Sequence, residues 1–201
     1  MNKKITIIDY GMGNLYSVQN ALKAIGAEPV VTSDAAMIAQ AEKILLPGVG
    51  AFGDCMANLE RSGLIPVIMD SLKSGKPFLG ICLGMQLLFE GSDEAPGVKG
   101  LGFFKGQVKL LRTELKIPHM GWNKLELRNP SPLLEGVEGE YVYFVHSFHA
   151  EPEDSSIITS VCDYGMEVTA SVGRGNVQAF QFHPEKSSSV GMRLLKNFVE
   201  L

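Results

Sequence analysis

The sequence predicts an α/β fold: a single domain over residues 1–201, with a mostly parallel central sheet flanked by helices and antiparallel strands added in the C-terminal half. Three observations carry this expectation. Up to about residue 90 the chain alternates short apolar, often β-branched runs with stretches of helical apolar spacing, the pattern of a parallel sheet covered on both faces. Beyond Gly91 glycine and proline become frequent and strand-like runs follow one another through turns, as in antiparallel additions. A length of 201 residues with 45% hydrophobic content supplies one well-filled core.

Taken in order, Ile5-Thr6-Ile7-Ile8 reads as a strand buried on both faces, ending at Asp9 and the turn Gly11-Met12-Gly13-Asn14. Leu15, Val18, Leu22 and Ile25 recur at helical spacing until Gly26 stops them. Pro29 to Thr32 is the second strand, Ser33 or Asp34 caps a short Ala-rich helix, and Lys43 to Leu46 is the third strand, ending in Pro47-Gly48-Val49-Gly50. Helices are expected over Phe52 to Arg61 and Ile65 to Lys73. Pro77 to Ile81 is a fourth strand, running into a helix from Leu83 to Glu90. Later strands are expected at Val108 to Leu111, Lys124 to Leu127, Tyr141 to Val145, Ile157 to Cys162, Val168 to Val172 and Val177 to Phe182, before a closing helix from Val190 to Leu201.

Composition narrows the function. With 18 basic against 22 acidic residues and no charged block, a nucleic-acid-coating role is not expected. No apolar run is long enough to span a membrane, and Met1-Asn2-Lys3-Lys4 leads straight into a short strand instead of a signal-peptide core. Cys55, Cys82 and Cys162 are odd in number and widely spaced, which argues against a disulfide framework or cysteine-rich zinc site and for a reducing, cytoplasmic setting. The Gly11-Met12-Gly13-Asn14 turn lacks the third glycine of a dinucleotide fingerprint, so no cofactor is expected.

Chemistry concentrates at Gly80-Ile81-Cys82-Leu83-Gly84. Glycines two residues either side of a nucleophile, between a buried strand and a helix, fit a nucleophile elbow. A following helix would favour the thiolate through its dipole. Such a nucleophile needs a base and an orienter. His183, after the last strand, is followed by Pro184 and then Glu185, whose carboxylate can curl back to the imidazole. Oxyanion donors are expected from the Leu83 amide and from the Gly48-Val49-Gly50 turn, at the carboxyl end of the neighbouring strand. His146 and His149, three apart on an expected strand, would point to opposite faces and make no metal pair. The segment Pro118-His119-Met120-Gly121-Trp122-Asn123 is read as a loop, either a core plug or an exposed aromatic anchor for a partner.

Pro47-Gly48-Val49-Gly50, Gly80 to Gln86 and Gln181-Phe182-His183-Pro184-Glu185-Lys186-Ser187 together resemble the three signatures of class I (triad) glutamine amidotransferases, in order and across the whole chain. Within that class, Met85, Pro118 to Asn123 and Tyr143 to Phe148 are similar to the glutaminase subunits of imidazole glycerol phosphate synthases in histidine biosynthesis; another class I glutaminase is the alternative. The resemblance implies glutamine as substrate and a Cys82-His183-Glu185 triad. It implies that Gln86, His146, Ser147 and Phe148 join Gly48, Val49, Gly50 and Leu83 around the substrate. It also implies a separate barrel-shaped cyclase subunit as partner in a heterodimer, met by Asn14, Met120, Trp122, Asn123 and Lys186, with ammonia passing between the subunits.

Overall fold

The computed structural model describes residues 3–201; Met1 and Asn2, part of the signal-peptide argument, lie outside the described residues. The N-terminal alternation folds as expected: β1 (Lys4–Ile8), α1 (Leu15–Ala24), β2 (Glu28–Thr32), α2 (Ala35–Gln40), β3 (Ile44–Leu46), α3 (Phe52–Ser62), α4 (Ile65–Lys73) and β4 (Phe78–Ile81). Local chemistry sets several boundaries. Asn14 caps α1 by accepting from the Ser17 amide at 3.2 Å, and Asp34 caps α2 by accepting from Ala36 and Met37. Gly63 ends α3 in the left-handed conformation with φ +68°.

After the short helix α5 (Leu83–Gln86) come β5 (Gly106–Leu110), β6 (His119–Lys124), β7 (Glu126–Leu127), β8 (Tyr141–His146), β9 (Phe148–Pro152), β10 (Ile158–Asp163), β11 (Glu167–Arg174), β12 (Val177–Phe180) and α6 (Ser188–Glu200). The central sheet has the order β2-β1-β3-β4-β12-β11-β10-β7. Its first five strands are parallel, and β11, β10 and β7 extend it antiparallel. Strand alternation splits the core in two. Ile44, Leu46 and Phe78 pack with α3 and α4, whereas Leu45, Leu79 and Ile81 pack with α1 and α6.

Four expectations need correction. Helix α5 stops at Gln86 and not at Glu90, because the carbonyls of Leu87, Leu88, Phe89 and Glu90 accept from the amides of Leu101, Phe104, Gly102 and Gly100 instead of continuing the helix. The expected loop 118–123 is mostly strand, since His119 to Lys124 pair in register with Tyr141 to His146. Two of the antiparallel pairs, β5-β9 and β6-β8, form separate ladders and do not join the main sheet. The strand expected to reach Phe182 ends at Phe180, as the Gln181 amide turns to the Ala170 carbonyl and His183 to that of Tyr143.

Candidate active site

The parallel pairing of β4 with β12 sets Ile81 opposite Phe180. The residues just beyond both strands therefore emerge together at the carboxyl edge of the sheet, where open α/β folds bind ligands. Cys82 leaves β4 with φ +55° and ψ −112°, a backbone state rare for a residue with a side chain. Glycine neighbours make that turn fit. A Cβ on Gly84 would sit 2.0 Å from the Leu46 carbonyl oxygen, one on Gly80 2.9 Å from that of Gly84, and one on Gly48 2.6 Å from the Gly84 amide nitrogen. The elbow and the turn after β3 thus interlock through backbone approaches that only glycine permits.

His183 is buried beside Cys82, and its Nδ1 lies 2.8 Å from Glu185 Oε1. Burial alone would lower the imidazole pKa; the Cys82 and Glu185 interactions oppose it and the balance is upward. Among the described residues the second carboxylate oxygen, Glu185 Oε2, has no hydrogen-bond partner, and the imidazole is the group bonded to Oε1. By contrast, burial pushes the Cys55 thiol up to about 11 and that of Cys162 to about 12, so both stay protonated and poor nucleophiles. The expected helix-dipole contribution at Cys82 is small, because α5 is a single four-residue turn.

A cleft of about 410 Å³ opens over Cys82. Val49, Gly50, Leu83, Gln86, His146, Ser147, Phe148 and His183 line it, together with the exposed Lys186. Gly48 lies behind this wall, where its carbonyl accepts from the Leu83 amide at 3.3 Å. Gln86 is buried and donates from Nε2 to the Phe148 carbonyl at 3.1 Å and to Gln181 Oε1 at 2.9 Å. Gln181 in turn faces Cys82 Sγ from 3.9 Å.

Of the residues assigned to the partner, Met120 and Trp122 project from β6 and are 62% and 52% exposed, on the face that also shows Tyr141. Asn123 is half-buried on the same strand, and Asn14 is occupied in capping α1. His119 resolves the open choice for its segment: it is the core plug, stacked between Phe144 and Tyr164 at ring-centroid distances of 4.7 and 3.9 Å, while Trp122, three residues on and on the opposite face of the strand, is the exposed aromatic. His146 and His149 sit on different strands, β8 and β9, because Ser147 interrupts the run.

Sequence reasoning missed three lining residues, Glu94, Pro118 and Val145. Glu94 arrives from a loop with no local signature; its Oε2 accepts from the Phe52 amide at the start of α3 at 2.8 Å, which fixes the carboxylate at the cleft. The only available signal was its placement in the Gly-rich region after the elbow.

Comparison with known proteins agrees with this architecture. The family described as glutamine amidotransferase class-I matches residues 6–201. A protein of Syntrophotalea carbinolica named imidazole glycerol phosphate synthase subunit HisH is 49% identical, over 98% of this chain and all of its own length. Proteins of the same name from Aquifex aeolicus and Methanothermobacter thermautotrophicus are 53% and 51% identical, over 97% and 98% of this chain and 95% and 98% of their own. Among solved structures, PurLQS from Thermotoga maritima superposes with a TM-score of 0.77 at 21% identity, covering 100% of this chain and 99% of that one; at this identity the likeness shows the fold alone. The chain therefore belongs to the class-I glutamine amidotransferase family, among the HisH subunits of imidazole glycerol phosphate synthase.

Proposed function

We propose that this chain hydrolyses glutamine to glutamate and ammonia with Cys82, His183 and Glu185 as its catalytic triad, and that it hands the ammonia to a cyclase subunit making imidazole glycerol phosphate. The observation that carries the assignment of residues is the elbow: Cys82 at φ +55° beneath an open cleft, with His183 and Glu185 beside it in one buried series.

In this reading the Cys82 sulfur attacks the side-chain amide carbon of glutamine, and His183 takes the thiol proton and gives it to the departing ammonia. Water then attacks the γ-glutamyl thioester, with His183 as base, and glutamate leaves. Glu185 holds the imidazole through Nδ1 and stabilises the imidazolium, so it acts through His183. Glu94 at the cleft is suited to the α-ammonium of the substrate, and the exposed Lys186 to its α-carboxylate or to the partner. The tetrahedral oxyanion needs donors, and the Leu83 amide is the first in an elbow.

Glu185→Gln keeps the shape of the side chain but removes the charge that favours the imidazolium. We expect kcat to fall on the order of 10² to 10⁴-fold, less than for loss of the nucleophile, with little change in KM. Steady-state glutamine hydrolysis checks this, and an unchanged kcat would remove Glu185 from the triad.

The exposed Met120 and Trp122 supply an aromatic and apolar anchor of the kind that dominates interfaces. Trp122→Ala is expected to weaken association with the cyclase subunit by about thirtyfold or more, as read by calorimetric titration. Lys186→Ala is expected to reduce the stimulation of hydrolysis by that subunit. If neither changed, the interface would lie elsewhere. A cytoplasmic setting is favoured by three unpaired cysteines.

A further inference from the structure

The cleft wall is joined to the strand carrying Trp122 by an unbroken series of directed hydrogen bonds. It begins at Asn123, whose amide orientation is set by two backbone groups: Oδ1 accepts from the Lys124 N–H at 2.8 Å, and Nδ2 donates to the Asp163 carbonyl at 2.8 Å. The same Nδ2 faces His119 Nε2 at 3.3 Å. That ring nitrogen must therefore accept, and the His119 proton sits on Nδ1. His119 Nδ1 lies 3.0 Å from His146 Nε2, which accepts in turn, and His146 Nδ1 donates to the Phe148 carbonyl at 2.7 Å.

The far end is compatible with the same answer only. A carbonyl only accepts, so the Phe148 oxygen is hydrogen-bonded by His146 only in the Nδ1–H form, the form that His119 Nδ1–H favours by donating to His146 Nε2. Backbone groups at both ends thus fit one tautomer for both rings. Burial holds both neutral, His119 at about 4 and His146 at about 3, and an added proton would set two donors against each other. Past the Phe148 carbonyl, the Gln86 amide donates to the same oxygen and to Gln181. Every link from β6 to the residues under Cys82 is directed.

We propose that Asn123 and His119 are positioning residues for glutamine: by fixing His146 as the Nδ1–H tautomer they hold the Phe148 carbonyl and the Gln86 amide in the geometry that binds substrate. Neither residue lines the cleft. The inference rests on the reading of that cleft as the glutamine site. A satisfied but inert polar cluster in the core is the competing account.

The test combines ¹⁵N NMR of the histidine-labelled chain with glutamine kinetics at saturating cyclase subunit, which removes changes in association. In the wild type both His119 and His146 are expected to be protonated on Nδ1. Asn123→Asp cannot donate to His119 Nε2 and draws a proton there, so His119 Nδ1 becomes an acceptor, His146 moves its proton to Nε2, and the Phe148 carbonyl loses its donor. His119→Phe keeps the ring stack and removes both nitrogens. Each is expected to raise KM for glutamine about tenfold with kcat within about twofold, whereas Asn123→Ala, which removes only the first link, raises KM less than about threefold. A wild-type His146 protonated on Nε2, or a wild-type KM in His119→Phe, would overturn the proposal. Absence of glutamine hydrolysis by the wild type would instead refute the glutaminase reading, with the NMR result still deciding whether the directed series exists.

Discussion

Cys82→Ala is expected to lower glutamine hydrolysis on the order of a millionfold, the scale of loss when the nucleophile of a comparable triad is removed. The expectation follows from placement. Cys82 holds a left-handed backbone state at the carboxyl edge of the parallel sheet, with an imidazole and a buried carboxylate behind it. The other two thiols have burial working against ionisation and no such partners. Because the substitution removes only the thiol group, the fold and the exposed Met120 and Trp122 proposed to meet the partner remain. Synthesis by the complex should therefore continue when ammonia is supplied in solution. Cys82→Ala retaining substantial hydrolysis would assign the nucleophile to another group.

A second large effect is expected when the cyclase subunit carrying its nucleotide substrate binds. The Leu83 amide, proposed as the first oxyanion donor, is bonded here to the Gly48 carbonyl at 3.3 Å. In this arrangement the Gly48-Val49 peptide turns its acceptor toward the elbow and its N–H away. Rotating that one peptide would free the Leu83 donor and bring the Val49 N–H round as a second. The glycines on either side of Val49 make the rotation sterically inexpensive, and Gly50 already sits at φ +99°. One oxyanion donor is worth about 2.7 to 4 kcal/mol. We therefore expect the loaded partner to raise kcat about a hundred- to a thousandfold, with KM changing little. Steady-state kinetics with and without the loaded partner decide it: full kcat in the free chain, or activation confined to KM, would rule out a donor switch.

The parts of the site that were legible in the sequence are those set by local rules. The elbow reads from two glycines around Cys82 at a strand end, and the base from His183 and Glu185 around a proline, because each motif is continuous in sequence and lies at a strand terminus. Their meeting required only that β4 and β12 be parallel neighbours. What escaped depends on distant partners. Helix α5 is cut short because amides some ten to sixteen residues away take the carbonyls that follow it. Strand β6 was hidden because Pro118, Gly121 and Trp122 give weak strand signals, and its register comes from β8, about twenty residues further on. Glu94 reaches the cleft only because Ser92 bridges to Val108 and the Phe52 amide holds its carboxylate. The tautomers of His119 and His146 are properties of a network and have no sequence signature.

The central claim is that Cys82 carries the γ-glutamyl group during turnover, and intact-protein mass spectrometry after rapid acid quench of the wild-type glutamine reaction, sampled from the first turnover to the steady state, tests it most directly. The account predicts one added γ-glutamyl group per chain, located by peptide mapping on the segment containing Cys82 and absent in Cys82→Ala. A γ-glutamyl group on Cys55 or Cys162, or rapid wild-type hydrolysis with no covalent species at any quench time, would contradict it.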